Sequence, residues 1–213
     1  AARVAVALVG ELSASNVAKL RRSVGRQRHR RLFALDARRE HVGHAALALG
    51  GPDRPLAFSV PTGNFGDIYA GYLAQQMGLP IDQLVVATNQ NDILHRFIAN
   101  NDYSVSQLAK TYSPSMDILV SSNFERFLFD VFDKDGAAIA DLMVRFGKDL
   151  RSVPDARWQK VAKTFDSAAV DDETTCKVIA DVHAQFGMLL DPHTAIGVEA
   201  ARRCRRDSAS TAM

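Results

Sequence analysis

The segment Phe58-Ser-Val-Pro-Thr-Gly-Asn-Phe-Gly-Asp-Ile-Tyr-Ala-Gly-Tyr72 has the residue types and spacing to hold a phosphate. Gly63 and Gly66 bracket Asn64 and Phe65, so the backbone there can take conformations that a Cβ forbids. From Gly66 onward Ile68, Tyr69, Tyr72, Leu73 and Met77 recur at helical spacing. A glycine turn that feeds a helix start aims several backbone N–H groups at one point, and the helix dipole adds about half a positive charge there. That arrangement suits a phosphate. The plain alternative is a turn between a strand and a helix, in which the glycines do no more than make the corner. The loop is neither the Gly-x-Gly-x-x-Gly of dinucleotide sites nor a Gly-x-x-x-x-Gly-Lys-Ser/Thr loop, because no lysine follows. A phosphate cup without a lysine remains, of the kind that takes a cofactor phosphate monoester.

A second loop, Leu189-Leu-Asp-Pro-His-Thr-Ala-Ile-Gly197, starts with a turn at Asp191-Pro192. Thr194 then has two readings. It caps a helix running from Ala195 to Cys204, or its hydroxyl meets the ring nitrogen of a bound aromatic group. His183 has no ligand partner at a matching spacing and reads as a structural or surface histidine. Cys176 and Cys204 show neither metal-site spacing nor a disulfide framework and read as free thiols of a cytoplasmic protein. No metal site is expected.

The elements that must position these groups alternate. Ala57 to Val60 reads as a strand that Pro61 stops, and Gln83 to Ala87 as a buried strand. A helix carries Ile93, Leu94, Phe97 and Ile98 and ends at Asn100-Asn-Asp102. Asp117 to Ser121 reads as a further strand, followed by a helix that begins at Phe124 and is capped by Ser122 or Asn123. The region from Asp135 to Gln185 reads as mainly helical, with Trp158 as a packing residue. Strand–helix alternation predicts an α/β fold, a parallel sheet with helices on both faces. Ligands in such sheets sit at the carboxyl ends of the strands, where the polar loops after Val60, Ala87 and Val120 fall.

A chain of 213 residues with 47% hydrophobic and 23% charged residues is globular rather than disordered. No apolar run approaches the roughly 20 residues of a membrane span. The net charge of +2 hides an asymmetry: residues 1–50 hold ten Lys/Arg against three Asp/Glu. The run Arg21-Arg-Ser-Val-Gly-Arg-Gln-Arg-His-Arg-Arg31 has no interleaved aromatic residue and no nucleic-acid-binding motif. It reads as a solvated segment before it reads as a nucleic-acid arm.

Five words in order resemble threonine synthase: Ser59-Val-Pro-Thr-Gly-Asn-Phe-Gly-Asp-Ile68, Val86-Ala-Thr-Asn-Gln-Asn-Asp-Ile-Leu-His95, Ser113-Pro-Ser-Met-Asp117, Ser121-Ser-Asn-Phe-Glu-Arg126 and Leu190-Asp-Pro-His-Thr-Ala-Ile-Gly197. The resemblance runs from about Ala45 to Arg206. It implies the tryptophan-synthase-β-like fold (fold type II) and pyridoxal 5′-phosphate as cofactor. The reaction it implies turns O-phosphohomoserine and water into threonine and phosphate. Gly63, Asn64, Phe65, Gly66 and Asp67 match the loop that holds the cofactor phosphate, and Thr194 matches the residue whose hydroxyl meets the pyridine nitrogen. A neutral hydroxyl there implies a largely unprotonated nitrogen. Asp67, a carboxylate beside a dianion, is expected to bind a neighbouring donor or to cap the helix. Asn89, Asn91, Asp92, Ser121, Ser122 and Asn123 lie on strand-end loops on the substrate side and receive no role.

The family reaction depends on a lysine that forms a Schiff base with the cofactor, upstream of the glycine loop. Only Lys19 precedes Gly63, in Val17-Ala-Lys-Leu-Arg21, which does not resemble the family's lysine context. Lys110, Lys134 and Lys148 follow the loop. The family's Asn-Ser-Ile-Asn-Trp-like helix and its Ser/Thr-Gly-Asp-Thr-Gly-like loop are also missing. The expected organisation is an arginine-rich segment over residues 1–44 and a threonine-synthase-like cofactor-phosphate-binding domain over 45–213. Such a chain is a C-terminal fragment, inactive alone, whose N-terminal half is replaced or resides elsewhere. The readings kept open beside it are a non-catalytic remnant that binds a phosphate ester or a subunit, and a basic nucleic-acid-binding protein using residues 19–39.

Overall fold

The computed structural model describes residues 42–206 except 44, 48, 52 and 147–150. Residues 1–41 of the arginine-rich segment, Lys19 and Lys148 lie outside the described residues. The described elements run β1 (Leu56–Pro61), α1 (Gly66–Gln76), β2 (Ile81–Thr88), α2 (Ile93–Asn100), a 3-10 turn (Pro114–Met116), α3 (Phe124–Val131), α4 (Gly136–Arg145), α5 (Asp155–Thr164), β3 (Asp166–Ala169), α6 (Asp172–Phe186) and α7 (Pro192–Cys204). The strands form one sheet in the order β1-β2-β3. In the central strand β2 only Asp82 is exposed, which is the near-continuous apolar pattern of a strand covered on both sides. β2 and β3 are parallel, with Val85 opposite Asp166 and Thr88 opposite Ala169.

Two compact units divide the chain. The first takes in the described residues up to Phe58, Asp67–Leu84 and Arg206; the second takes in Ser59–Gly66 and Val85–Arg205. In the first, Leu56 N–H donates to Pro80 O at 2.9 Å. Gln75 Nε2 donates to Ile81 O at 2.7 Å. A Cβ on Gly71 would lie 3.0 Å from Leu84 Cδ2, so α1 approaches β2 closely at a glycine.

The second unit is organised around stacked and edge-on aromatic rings. Phe65 meets Phe124 at 4.9 Å and Phe165 at 5.3 Å. Phe97 meets Phe124 at 5.2 Å. Tyr103 meets Phe146 at 4.7 Å. Edge-to-face pairs of this kind add to the burial of their area. Burial pushes the Tyr103 phenol up to about 12, against the one bond that opposes it, the Ser121 N–H donated to its oxygen. The periodicities of α2 and α3 put Phe97, Phe124, Phe127 and Leu128 into this cluster. Trp158 is more than a packing residue: its Nε1–H donates to Phe97 O at 2.8 Å and ties α5 to the C-terminal turn of α2.

The sheet differs from expectation at two places. Asp117–Ser121 forms no strand. It leaves the 3-10 turn with Ile118 N–H bonded to Met116 O, and Tyr103 takes the Ser121 N–H, so these groups are not offered to a neighbouring strand. The third strand is Asp166–Ala169 instead, four residues too short and too small-sided to show a strand period in a helical region. α2 and α7 both pack against it.

Candidate functional site

The site lies in the second unit and starts with the loop between β1 and α1. Thr62 is buried, and its N–H donates to Ala87 O at 2.7 Å, which pins the loop to the carboxyl end of β2. Asn64 closes a tight turn by accepting the Gly66 N–H on Oδ1 at 2.9 Å. Its carbonyl accepts the Asn123 N–H at 3.0 Å. Phe65 holds φ +69°, a left-handed conformation rare for a bulky residue, and its ring is 1% exposed. Phe65 therefore serves the loop as an anchor in the aromatic core. Gly63 is required by close approach: a Cβ there would stand 3.2 Å from Met116 Cα and from Ser115 O. Among the described residues the N–H groups of Gly63, Asn64 and Phe65 have no protein acceptor, whereas that of Gly66 is taken by Asn64. Asp67 is exposed and opens α1, where a helix dipole favours a carboxylate.

Two buried hydroxyls belong to segments that bond to this loop. Thr88 Oγ1 follows the Ala87 carbonyl that holds Thr62, and Ser121 Oγ precedes Asn123, which holds Asn64. Neither has a hydrogen-bond partner among the described residues. A buried hydroxyl without a partner costs about 1–3 kcal/mol.

The second loop is built differently from the sequence reading. Helix α7 begins at Pro192, three residues earlier than expected, and Asp191 is its N-cap. Asp191 Oδ1 accepts the N–H groups of His193 at 2.9 Å and Thr194 at 3.3 Å, and proline fits the first helical position because it has no N–H to satisfy. Thr194 is therefore not the cap; its hydroxyl donates to Asp191 Oδ2. Burial raises the Asp191 carboxyl, but the bonds from Thr194 and His193 outweigh it and hold the group below the usual carboxylate range. Further along α7, a Cβ on Gly197 would lie 3.2 Å from Pro61 Cγ. Ser59 Oγ donates to Gly197 O at 2.7 Å. Helix α7 is thus locked against the end of β1 that leads into the Thr62–Gly66 loop.

A side-chain chain links the two loops. His193 Nδ1 lies 3.1 Å from Asp191 Oδ1, and His193 Nε2 lies 2.5 Å from Ser115 Oγ. Ser115 is the residue whose carbonyl closes on Gly63. The sequence reading assigned neither Ser115 nor His193. Both stand in the quoted words, but 78 residues separate them, and no local pattern reports such a pairing.

Asn89 and Asn91 turn out to be structural. Asn89 is 1% exposed, and its Nδ2 donates to Ser113 Oγ at 2.9 Å and Asp117 Oδ1 at 2.8 Å. Asn91 Nδ2 donates to Ala109 O and Asp117 Oδ1, each at 2.9 Å. This hub fixes the turn that carries Ser115. Asp92 forms an ion pair with Arg96, and Ser122 is exposed. Asn89→Ala strands several buried groups and is expected to destabilise the chain by on the order of 3 kcal/mol in urea unfolding. Burial raises the Asp117 carboxyl, but bonds from Thr111, Asn89 and Asn91 hold it below its ordinary value. Its contribution is then present above the unfolded-state value near 4 and is lost as pH falls through the lowered one. The variant should show a flatter acid limb.

The described lysines, Lys110, Lys134, Lys160, Lys163 and Lys177, are all exposed. Lys160 pairs with Asp133. Cys176 and Cys204 are free thiols, and His183 is exposed on α6. No helix among the described residues is long and apolar enough to cross a membrane.

Parallel strands and a glycine loop at a strand end place the chain among the α/β proteins, and the solved structures it resembles place it in fold type II. The chain superposes on the pyridoxal-phosphate-bound threonine synthase of Brucella melitensis with a TM-score of 0.79 at 39% identity, covering 93% of this chain and 43% of that one. For the yeast threonine synthase the TM-score is 0.76 at 35% identity, covering 82% and 38%. In sequence it is 62% identical to the threonine synthase of Pseudomonas aeruginosa over 164 residues, 76% of this chain and 35% of that protein. It is 48% identical to the Corynebacterium glutamicum threonine synthase over 163 residues, 72% of this chain and 33% of that protein. No family model matches. Over the matched segment the chain is a homologue of threonine synthases. It spans about a third of the length of these curated relatives.

Proposed function

We propose that the chain supplies the cofactor-phosphate cup and the ring-nitrogen contact of a pyridoxal-phosphate-dependent threonine synthase acting on O-phosphohomoserine. The observation that carries this is the run of three successive N–H groups, Gly63 to Phe65, without protein acceptors among the described residues, in a loop packed tightly at Gly63 against Ser115 O. Those groups would donate to the phosphate oxygens, and charge-assisted bonds of this kind are roughly twice as strong as neutral ones. Asn64 keeps the turn closed by holding Gly66. Thr194 would meet the ring nitrogen; its hydroxyl now donates to Asp191 Oδ2 and would have to leave that carboxylate to donate there. When bound, the cofactor supplies an electron sink for loss of a proton next to the amino group.

Catalysis requires a lysine at that cofactor, and the described lysines sit on the surface. On this reading the chain by itself binds the cofactor without turning over, with Lys19 and Lys148 outside the described residues. Calorimetric titration with pyridoxine 5′-phosphate and with pyridoxine isolates the phosphate, because neither ligand carries an aldehyde. The phosphorylated form should bind at least tenfold more tightly. Equal affinities would sink the cup, and release of phosphate from O-phosphohomoserine by this chain with its cofactor would sink the assignment of a non-catalytic role.

A further inference from the structure

Asp191, His193 and Ser115 are joined end to end: Asp191 Oδ1 to His193 Nδ1 at 3.1 Å, and His193 Nε2 to Ser115 Oγ at 2.5 Å. We propose that these three residues form a nucleophilic triad in which Ser115 attacks small electrophilic esters at the edge of the Thr62–Gly66 loop. The site does not rest on the cofactor reading, since it involves neither a lysine nor a bound ring.

The order of the groups is the one nucleophile activation needs. A carboxylate only accepts, so Asp191 assigns the proton of the neutral imidazole to Nδ1 and leaves Nε2 as an acceptor. The Ser115 hydroxyl then donates to Nε2, which is the arrangement of nucleophile, base and orienting group found wherever a serine is activated by histidine. Asp191 is itself held in place by two backbone N–H groups at the start of α7, so the imidazole is oriented by a helix terminus rather than by a free side chain. Ser115 is exposed and open to an ester, while Ser113 two residues earlier is fully buried in the Asn89 hub.

The reaction balances without a further reagent. A bond forms between Ser115 Oγ and the ester carbonyl carbon as the hydroxyl proton passes to His193 Nε2. The C–O bond to the leaving alcohol breaks, and that alcohol takes the proton from His193. His193 Nε2 then takes a proton from water as its oxygen bonds the acyl carbon; the Ser115 Oγ–acyl bond breaks, Oγ takes that proton back from His193, and the carboxylic acid leaves.

A fluorophosphonate probe reads the first half directly. The Ser115 Oγ–P bond forms, the P–F bond breaks, fluoride leaves, and the hydroxyl proton goes through His193 to solvent. In the full chain the adduct should fall on Ser115 at a rate at least hundredfold above that of exposed Ser122 and Ser152, located by peptide mass. Ser115→Ala should remove it and His193→Gln should slow it by roughly a hundredfold, the usual contribution of a positioned base. Asp191→Asn retains a helix cap and should slow labelling about tenfold, with circular dichroism confirming the fold of each variant. Labelling of Ser115 no faster than Ser122 in the unaltered chain overturns the proposal whatever the variants do, and so does a folded His193→Gln chain that labels at the original rate.

Discussion

Phe65→Ala is expected to cost about 3–5 kcal/mol of folding stability, the range for emptying a buried phenylalanine site. The ring is 1% exposed and touches Phe124, Phe127 and Phe165, so its loss leaves a cavity lined by rings from α3 and the end of α5 that cannot all collapse together. The backbone sharpens the test. At φ +69° an alanine keeps the left-handed strain and a glycine does not. Phe65→Gly should therefore be more stable than Phe65→Ala by about 1 kcal/mol, the reverse of the usual order. Urea unfolding of both variants decides this, and an alanine variant at least as stable as the glycine variant would sink the claim that the loop is held in a strained conformation by its anchor.

The second large effect concerns ligand affinity. Gly63→Val is expected to weaken pyridoxine 5′-phosphate binding by roughly tenfold to a hundredfold while leaving pyridoxine unchanged, since one to two charge-assisted bonds of about 1.5–3 kcal/mol are at stake. A Cβ would meet Ile118 Cδ1, Met116 Cα and Ser115 O, each at 3.2 Å, and the last two are backbone and cannot rotate aside. Either the Ser113–Asp117 turn or the glycine loop must move, and the Asn89 hub resists the first. The stability cost should stay near 1–3 kcal/mol, as for overpacked sites. An unchanged difference between the two vitamers, measured calorimetrically in a folded variant, would remove the phosphate from this loop.

Much of the architecture was legible because it is periodic. The apolar spacing of Ile93, Leu94, Phe97 and Ile98 and of Phe124, Phe127 and Leu128 located α2 and α3, and both helices bury those residues. The run of Gln83 to Ala87 located the central strand. The Asp117–Ser121 stretch misled because an apolar run of strand length is also what a turn looks like when its residues face a core; Met116 is buried there while Val120 is half exposed. β3 escaped because Asp166–Ala169 has small side chains, and its pairing with β2 is what makes it a strand.

By itself the sequence determined the glycine turn, the helices on either side of the polar loops and the five words shared with the threonine synthases, because backbone permission, helical period and motif order are all local properties. Only the tertiary structure decided what each side chain in those words does. It made Phe65 an anchor, took the Gly66 N–H for Asn64, moved the α7 cap from Thr194 to Asp191, and turned Asn89 and Asn91 inward toward Asp117. It also set His193 against Ser115. A side chain's partner depends on which distant segment the closed fold brings within about 3 Å, and hydrogen bonding reaches no further than that.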